Sequence, residues 1–479
     1  MFAAEGVTRV ARAGLPVANK EARTCVSAAA ADKVVPGAGP QFTAPGPVRG
    51  PVPVSDPDGP LRVCLLSYRS KPHCGGQGIY LRHLSRELVA LGHSVEVYSG
   101  QPYPELEPGP ELLRLPSLDL YADEDPFRTP HLREYRDWID VLEVLGMWTA
   151  YFPEPLTFSL RALRALRGRV GDFDVVHDNQ VLAYGNLGIA RLMPVVTSIH
   201  HPISVDRRIE LKAARGFRKI PKWRWYSFVR MQARVARRIG PVMTGSESSK
   251  ADILRDFKVP EPNVQVIPLG VDTRLFHPRP AGHRVAGRIV AVASADSPVK
   301  GVATLLRAYA KLQTERDVSL ILVSKLVPDG PTRKLLGELS LTDKVQFVNG
   351  ISDDELADLV ASAEIAVVPS LYEGFSLPAV EHMASGTPLI ASRTGALPEV
   401  TGEAAMLVTP GDAEELCAAL RTLHDSPDER ARLSRLALER VAERFAWPAV
   451  ARATVAQYRL AIAASRARTG AVAREAGPC

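Results

Sequence analysis

Two carboxylates, Glu373 and Glu381, bracket seven residues in the stretch SLYEGFSLPAVEHMASGTPLIAS. Acids repel a phosphate, yet the segment between them has the composition of an anion-binding turn. Gly374 lets the backbone approach a ligand closely. Pro378 suits the first helical position, where its missing N–H costs nothing, with Ser376 or Leu377 near the cap. The amides of Phe375, Ser376 and Leu377 then lie at the positive end of a helix, a place suited to a diphosphate. The acids have a separate task, because a carboxylate accepts two hydroxyl hydrogen bonds, as from a ribose. Glu381 falls within the first turn or so of the helix, and Glu373 precedes the turn, where it reaches the sugar beyond the diphosphate. Either glutamate alone has an ordinary explanation: a dipole complement for Glu381, a solvated loop residue for Glu373. The pair, placed after an apolar strand and around Gly-x-Ser-x-Pro, favours a binding function.

Such a turn needs a strand before it and a sheet to hold it. EIAVVPS supplies the strand, and it belongs to a longer series. RVCLLSY is an apolar run, followed by the loop SKPHCGGQG, a helical pattern in IYLRHLSRELVALG and a second strand in HSVEVYS. FDVVHDN, MPVVTSIHH and GPVMTGSES continue the set, and VQVIPLGVDTRLF resembles a hinge. RIVAVASAD, VSLILVS, VQFVNG, EIAVVPS and PLIAS form a second set with helices between them. The strands are apolar throughout rather than alternating, as in parallel sheets buried on both faces. The fold class expected is therefore α/β, with two doubly wound, Rossmann-like domains at about residues 61–272 and 273–446. Residues 1–60 are rich in Pro, Ala and Gly and are read as a disordered leader, and 447–479 as a helix and tail.

The bulk composition excludes several classes. Of the 479 residues, 46% are hydrophobic and 23% charged, which suits a globular core, and the net charge of +6 is too mild to argue for nucleic acid. Five cysteines, none in Cys-x-x-Cys spacing, indicate neither a zinc site nor a disulfide framework. No run approaches a membrane span and the N-terminus lacks a compact apolar signal segment, so a cytoplasmic protein is expected.

In open parallel sheets, ligands bind beyond the carboxyl ends of the strands. Those positions hold Gly75, Gly76, His177, Asp178, His200 and Ser246 in the first domain, and Asp296, Lys300, Ser324 and the opening stretch in the second. Gly75 and Gly76, opening a helix after a first strand, favour phosphate approach. His177 reads better as a hydrogen-bonded core residue. Lys300 alone would be a solvated loop lysine; beside the acidic turn it is assigned to a phosphate. His200 is preferred to its neighbour His201 because VVTSIH puts it at the strand end. The pairs Asp56/Asp58, Asp123/Asp125 and Asp172/Asp174 are read as non-metal, since none follows a strand.

PSLYEGFSLPAVE, with MASGTPLIAS and RTGALPEV after it, resembles the E-x7-E motif of retaining glycosyltransferases with the GT-B fold, a family that includes glycogen synthases and phosphatidylinositol mannosyltransferases. The likeness extends to GGQGIYLRHLSRELVALGHSVEVYS, VIPLGVDTRLFHP and VKGVATLLRAYAKL, and spans most of residues 61–460. The resemblance implies a nucleotide-diphosphate sugar as donor, an acceptor hydroxyl, retention of configuration, and neither a cofactor nor a metal. By the same resemblance Glu373 lies near the donor sugar, Glu381 binds the ribose, and the amides of Phe375, Ser376 and Leu377 meet the donor. It puts Lys300 on the diphosphate, Gly76 against phosphates and acceptor, and His200 at the sugar. The chain departs from the family in lacking the usual Gly-Arg before the lysine, for which Lys325 is one substitute, and in carrying SKLVPDG after the next strand. Two other readings stay open: a nucleotide-sugar-binding protein without turnover, and an epimerase or phosphorylase on the same scaffold.

One segment stands apart. Between Val205 and Ile239 there are twelve Arg or Lys and two acids, with Trp223, Trp225, Tyr226 and Phe228 interleaved. A solvated helical surface with its aromatics tucked inward explains it, and so does a patch facing anionic lipid, which would make the protein peripheral at the inner face of a membrane. No nucleic-acid recognition motif is present.

Overall fold

The computed structural model describes residues 59–475, apart from 71–75, 123–124, 214–215, 217–218 and 281. The Pro-rich leader and Gly75 lie outside the described residues.

Two all-parallel sheets carry the fold. The first has seven strands: β1 (Arg62–Ser67), β2 (Ser94–Ser99), β3 (Glu111–Arg114), β4 (Val175–Asn179), β5 (Val195–Ser198), β6 (Val242–Thr244) and β7 (Val264–Val266), in the order β3-β2-β1-β4-β5-β6-β7. The second has six: β8 (Arg288–Val292), β9 (Ser319–Val323), β10 (Val345–Val348), β11 (Ile365–Val368), β12 (Leu389–Ser392) and β13 (Ala405–Val408), in the order β10-β9-β8-β11-β12-β13. Both orders wind outward from a central strand and then restart on its other side. The reversal falls between β1 and β4 in the first sheet and between β8 and β11 in the second, and crevices form at such points.

The apolar strands are buried on both faces. Val63 and Leu65 of β1 enter one core, and Cys64 and Leu66 enter another. In β11, Ile365 and Val367 face one way and Ala366 and Val368 the other. Three strands were not expected from the sequence. β3 is exposed at both ends, and β7, which reads as part of a hinge, is only three residues long. β13 is four residues squeezed between helices. KADILRDF does not form one helix: Glu247–Asp252 is α-helical, and Ile253–Phe257 widens into a π turn that ends on left-handed Lys258.

The chain crosses between the domains twice at one place. Val271 and Ala446 form an isolated parallel bridge, and the Val271 amide donates to the Phe445 carbonyl at 2.9 Å. From there the helix Trp447–Glu475 returns to the first domain and packs on the helix Gly76–Ala90 and against β4 and β5. Trp447, 2% exposed, stacks on His83 with ring centres 5.2 Å apart. Truncating a buried Trp of this kind costs about 3–5 kcal/mol. Among the described residues no helix is long and apolar enough to cross a membrane. Cys64 and Cys417 are buried thiols.

Candidate active site

After β11 the chain turns through Pro369–Ser376 into the helix Leu377–Ala384. Leu377, not Pro378, is the first helical residue; proline takes the second position, where its absent N–H is equally harmless. Ser376 is the cap. Its side chain accepts from the Ala379 amide, and its backbone is held at φ +85°. A left-handed non-glycine residue costs about 1–3 kcal/mol and is typically kept where a site requires it. Among the described residues no carbonyl accepts from the amides of Phe375, Ser376 or Leu377, so three donors remain at the positive end of the helix. The Phe375 ring itself is core, edge-on to Phe445.

Glu373 is 8% exposed, and its Oε1 accepts from Lys300 Nζ at 2.9 Å and from Ser370 Oγ at 2.7 Å. Lys300 ends the 3-10 turn Pro298–Lys300 that follows β8, so the two groups come from the strands flanking the switch point. Gly301 makes this possible. It sits at φ +65°, and a Cβ there would lie 1.9 Å from the Pro369 carbonyl oxygen. Glu381 is in the second turn of its helix, and burial, helped by the charge of Asp353, pushes its carboxyl up to about 7 even though part of the residue remains open to solvent.

Opposite lies the end of the first sheet. His200 donates from Nε2 to Asn179 Oδ1 at 2.6 Å, and its amide donates to Gln180 Oε1 at 2.8 Å. An amide oxygen only accepts, so the imidazole proton is on Nε2 and Nδ1 is an acceptor. Burial lowers this histidine to about 4, so it is neutral at ordinary pH. Tyr80, from the helix opened by Gly76, stands edge-on to the His200 ring at 4.5 Å. His177 is a core residue, bonded through Nδ1 to Tyr458 and through Nε2 to Ser198, each at 2.7 Å. Asp178 accepts from the amides of Val181 and Leu182. Asp172 and Asp174 pair with Arg169 and Arg62. Asp296 accepts from the Thr332 amide, and Ser324 Oγ from that of Ala295, so both serve loop geometry. Lys325 is exposed past β9.

The two lips touch at Gly374. Its carbonyl accepts from Ser246 Oγ at 2.6 Å and Ser249 Oγ at 2.9 Å, both from the first domain. A Cβ on Gly374 would stand 3.3 Å from the His200 carbonyl oxygen and from His201 Nδ1. Further contacts join the lobes, among them the His201 and Tyr372 rings 5.5 Å apart. Glu399 accepts from the amides of Glu247 and Ser248, Arg82 pairs with Asp353 at 3.1 Å, and Tyr372 donates to Asp252. The geometry thus brings together Lys300, Glu373, Gly374 and His200 across one cleft. A site of this kind holds an anion between amides and an ammonium, with carboxylates placed for hydroxyls. Tyr80, Asn179, Gln180, Ser249 and Ser370 were missed in the sequence. Asn179 and Gln180 were detectable, since they directly end the strand FDVVHDN.

Residues 286–426 match the family described as Glycosyl transferases group 1, and residues 74–275 match Glycosyltransferase Family 4. An MMP alpha-(1->4)-mannosyltransferase from Mycolicibacterium hassiacum is 59% identical over 408 residues, covering 84% of this chain and 99% of its own. A D-inositol 3-phosphate glycosyltransferase from Streptomyces avermitilis is 29% identical, with 85% and 89% covered. Among solved structures, a sucrose-phosphate synthase from Thermosynechococcus elongatus superposes with a TM-score of 0.64 at 25% identity, covering 84% of this chain and all of that one.

Proposed function

The chain belongs to glycosyltransferase family 4 and is an enzyme of sugar transfer, and from that premise we propose that it moves a mannosyl residue from a nucleoside diphosphate sugar to a hydroxyl of a glycan acceptor, with retention and without a metal. The mannosyl assignment is supported by the 59%-identical relative being an alpha-(1->4)-mannosyltransferase. The observation that carries the donor assignment is the Lys300–Glu373 pair at the mouth of the three-amide turn.

In the reaction proposed, the bond between the sugar C1 and the β-phosphate oxygen breaks, and its electron pair leaves with the nucleoside diphosphate. The acceptor oxygen bonds to C1 on the same face and passes its proton to the departing phosphate. Negative charge grows on that phosphate, and the amides of Phe375, Ser376 and Leu377 with the Lys300 ammonium are arranged to stabilise it without reorganising. On ligand arrival Lys300 exchanges part of its bond to Glu373 for the phosphate, which frees that carboxylate to accept from sugar hydroxyls. Glu381 accepts from the ribose. Neutral His200, with Nδ1 as acceptor, orients the sugar. The contacts from Gly374 to Ser246 and Ser249 close the cleft against water. Turnover of this kind is favoured over a binding protein that lacks it.

The enzyme is incubated with GDP-mannose, UDP-glucose or ADP-glucose and an α-mannoside acceptor, and the products are analysed by NMR. An α-linked mannosyl product is expected. A β-linked product would reject retention; epimerised donor, or turnover that requires orthophosphate, would reject transfer. We also keep this protein in the cytoplasm, with Val205–Ile239 turned towards an anionic membrane surface. Only part of that segment suits the role: Trp225, Tyr226 and Phe228 are buried, while Trp223 is 41% exposed with the Arg230 guanidinium over its ring.

A further inference from the structure

The helix Trp138–Trp148 is apolar on two faces and keeps its charges inside. Its two acids, Asp140 and Glu143, are 1% and 0% exposed and face inward, where Arg161 bonds to both and Arg136 to Asp140. Its outward residues are Trp138, Val141, Leu145 and Trp148, exposed by 58%, 44%, 50% and 55%. At 100° per residue these four positions fall within an arc of about 80°, a single straight stripe. A surface helix normally buries such a stripe and exposes its charges. The inward face already carries Ile139, Val144 and Met147 as core, and arginine pairs hold the two acids beside them, so a second apolar stripe is left outside.

The stripe is continuous with the basic segment. Arg224 donates to the carbonyl of Thr149, the residue that caps the Trp148 end. Beside it the helix Lys219–Trp225 turns Ile220 and Trp223 outward, three residues apart on one face. Arg230 lies over Trp223 at 4.9 Å, and Arg234 reaches the exposed Tyr184 hydroxyl at 3.2 Å. The acid nearest the stripe's start, Asp137, is taken by Arg164 and by the amides of Ile139 and Asp140. Apolar side chains between two tryptophans, flanked by arginines that pair with no acid among the described residues, match the acyl boundary and the anionic headgroups of a bilayer. A second copy of the chain fits less well, because the arginine flanks would meet each other.

We propose that this face is a membrane-docking surface. The Trp138–Trp148 stripe enters the headgroup boundary of an anionic bilayer, and Arg224, Arg230 and Arg234 contact its phosphates. The proposal rests on the anionic-surface reading of Val205–Ile239 and moves the apolar anchor to a helix outside that segment. It holds whatever sugar the enzyme transfers.

The test is sedimentation of the full chain with phosphatidylcholine vesicles, plain or containing about one-third phosphatidylglycerol. Wild-type protein is expected to bind the anionic vesicles and to be released by raised salt. The variant Leu145→Ser/Trp148→Ser is expected to lose about a hundredfold in partitioning. The variant Arg224→Gln/Arg230→Gln/Arg234→Gln should lose about fivefold per charge and show a smaller dependence on salt. Circular dichroism and transfer to a soluble acceptor without vesicles, unchanged in both variants, show that fold and catalysis are separate from docking. Wild-type partitioning by the Leu145/Trp148 variant would overturn the stripe while leaving the basic segment standing. No binding by the wild type, with a dimer that the same variant splits in light scattering, would overturn the proposal in favour of a second copy.

Discussion

At the ends of β4 and β5, the polar side chains are satisfied by one another and by the first domain's backbone: Asn179 with His200, Gln180 with two amides, Asp178 with two more, His177 with Ser198 and Tyr458. At the ends of β8 and β11 the same positions hold a lysine and a glutamate that grip each other, and a turn whose amides are left over. The first lip is largely satisfied within itself, with the His201 Nδ1 buried and unpartnered among the described residues, and removing a member strands a buried polar group. The second is held largely by glycine geometry, and its groups are paired in a way a phosphate can undo. Orientation is thus stored in the first domain and charge in the second.

That contrast breaks most sharply at the lysine. Lys300→Ala removes the ammonium proposed for the diphosphate and should lower kcat/KM by about 10³. Circular dichroism should be unchanged, since the lysine is partly exposed; a loss of less than about tenfold would take Lys300 out of the mechanism. Gly301→Ala tests the backbone that delivers it. With the added carbon on top of the Pro369 carbonyl, the loop must shift. We expect kcat/KM to fall by about 10² and Tm by about 5 °C.

Glu381 sharpens the comparison through pH. Its folded carboxyl is raised to about 7 from 4.5, so the free protein carries a proton between those values that the unfolded chain has lost. Its contribution to stability is present below about 4.5 and is lost as pH rises through 7. In the binding mode proposed, ribose hydroxyls donate to the ionised form, so nucleotide binding would expel the proton. Affinity should therefore rise as pH increases through about 7, and Glu381→Gln should flatten the profile in isothermal titration. On the other side, Tyr458→Phe removes one partner of His177 and should cost about 1 kcal/mol in denaturant unfolding. Because His177 is core rather than cleft, kcat/KM should be nearly unchanged.

Much of this was legible. Long apolar runs such as EIAVVPS and VSLILVS announce strands buried on both sides, and the strand-end rule leads directly to Lys300, Glu373 and His200. The Gly-x-Ser-x-Pro turn marked the start of the following helix to within one residue, Leu377 instead of Pro378. What escaped depends on contacts distant in the chain. Nothing near Ser249 says that it meets Gly374 over a hundred positions later, and nothing near Glu399 says that it caps the helix after Ser246. Short strands escaped for another reason: ELLR and VQV are too brief to display a period. The outer stripe of the helix WIDVLEVLGMW was hidden because apolar residues occur on both of its faces, and only the partners Arg136 and Arg161 allow Asp140 and Glu143 to lie on the inner one.

The returning C-terminal helix has a consequence for how the molecule is made. Tyr80, His83 and His177 gain Trp447 and Tyr458 as neighbours only when those residues have been synthesised, after the whole second domain. A ribosome therefore releases the first sheet with one flank uncovered and must finish the second before the first can be sealed. The nascent intermediate would present that flank to chaperones for most of translation, and deleting the last helix would leave a protein arrested at that stage.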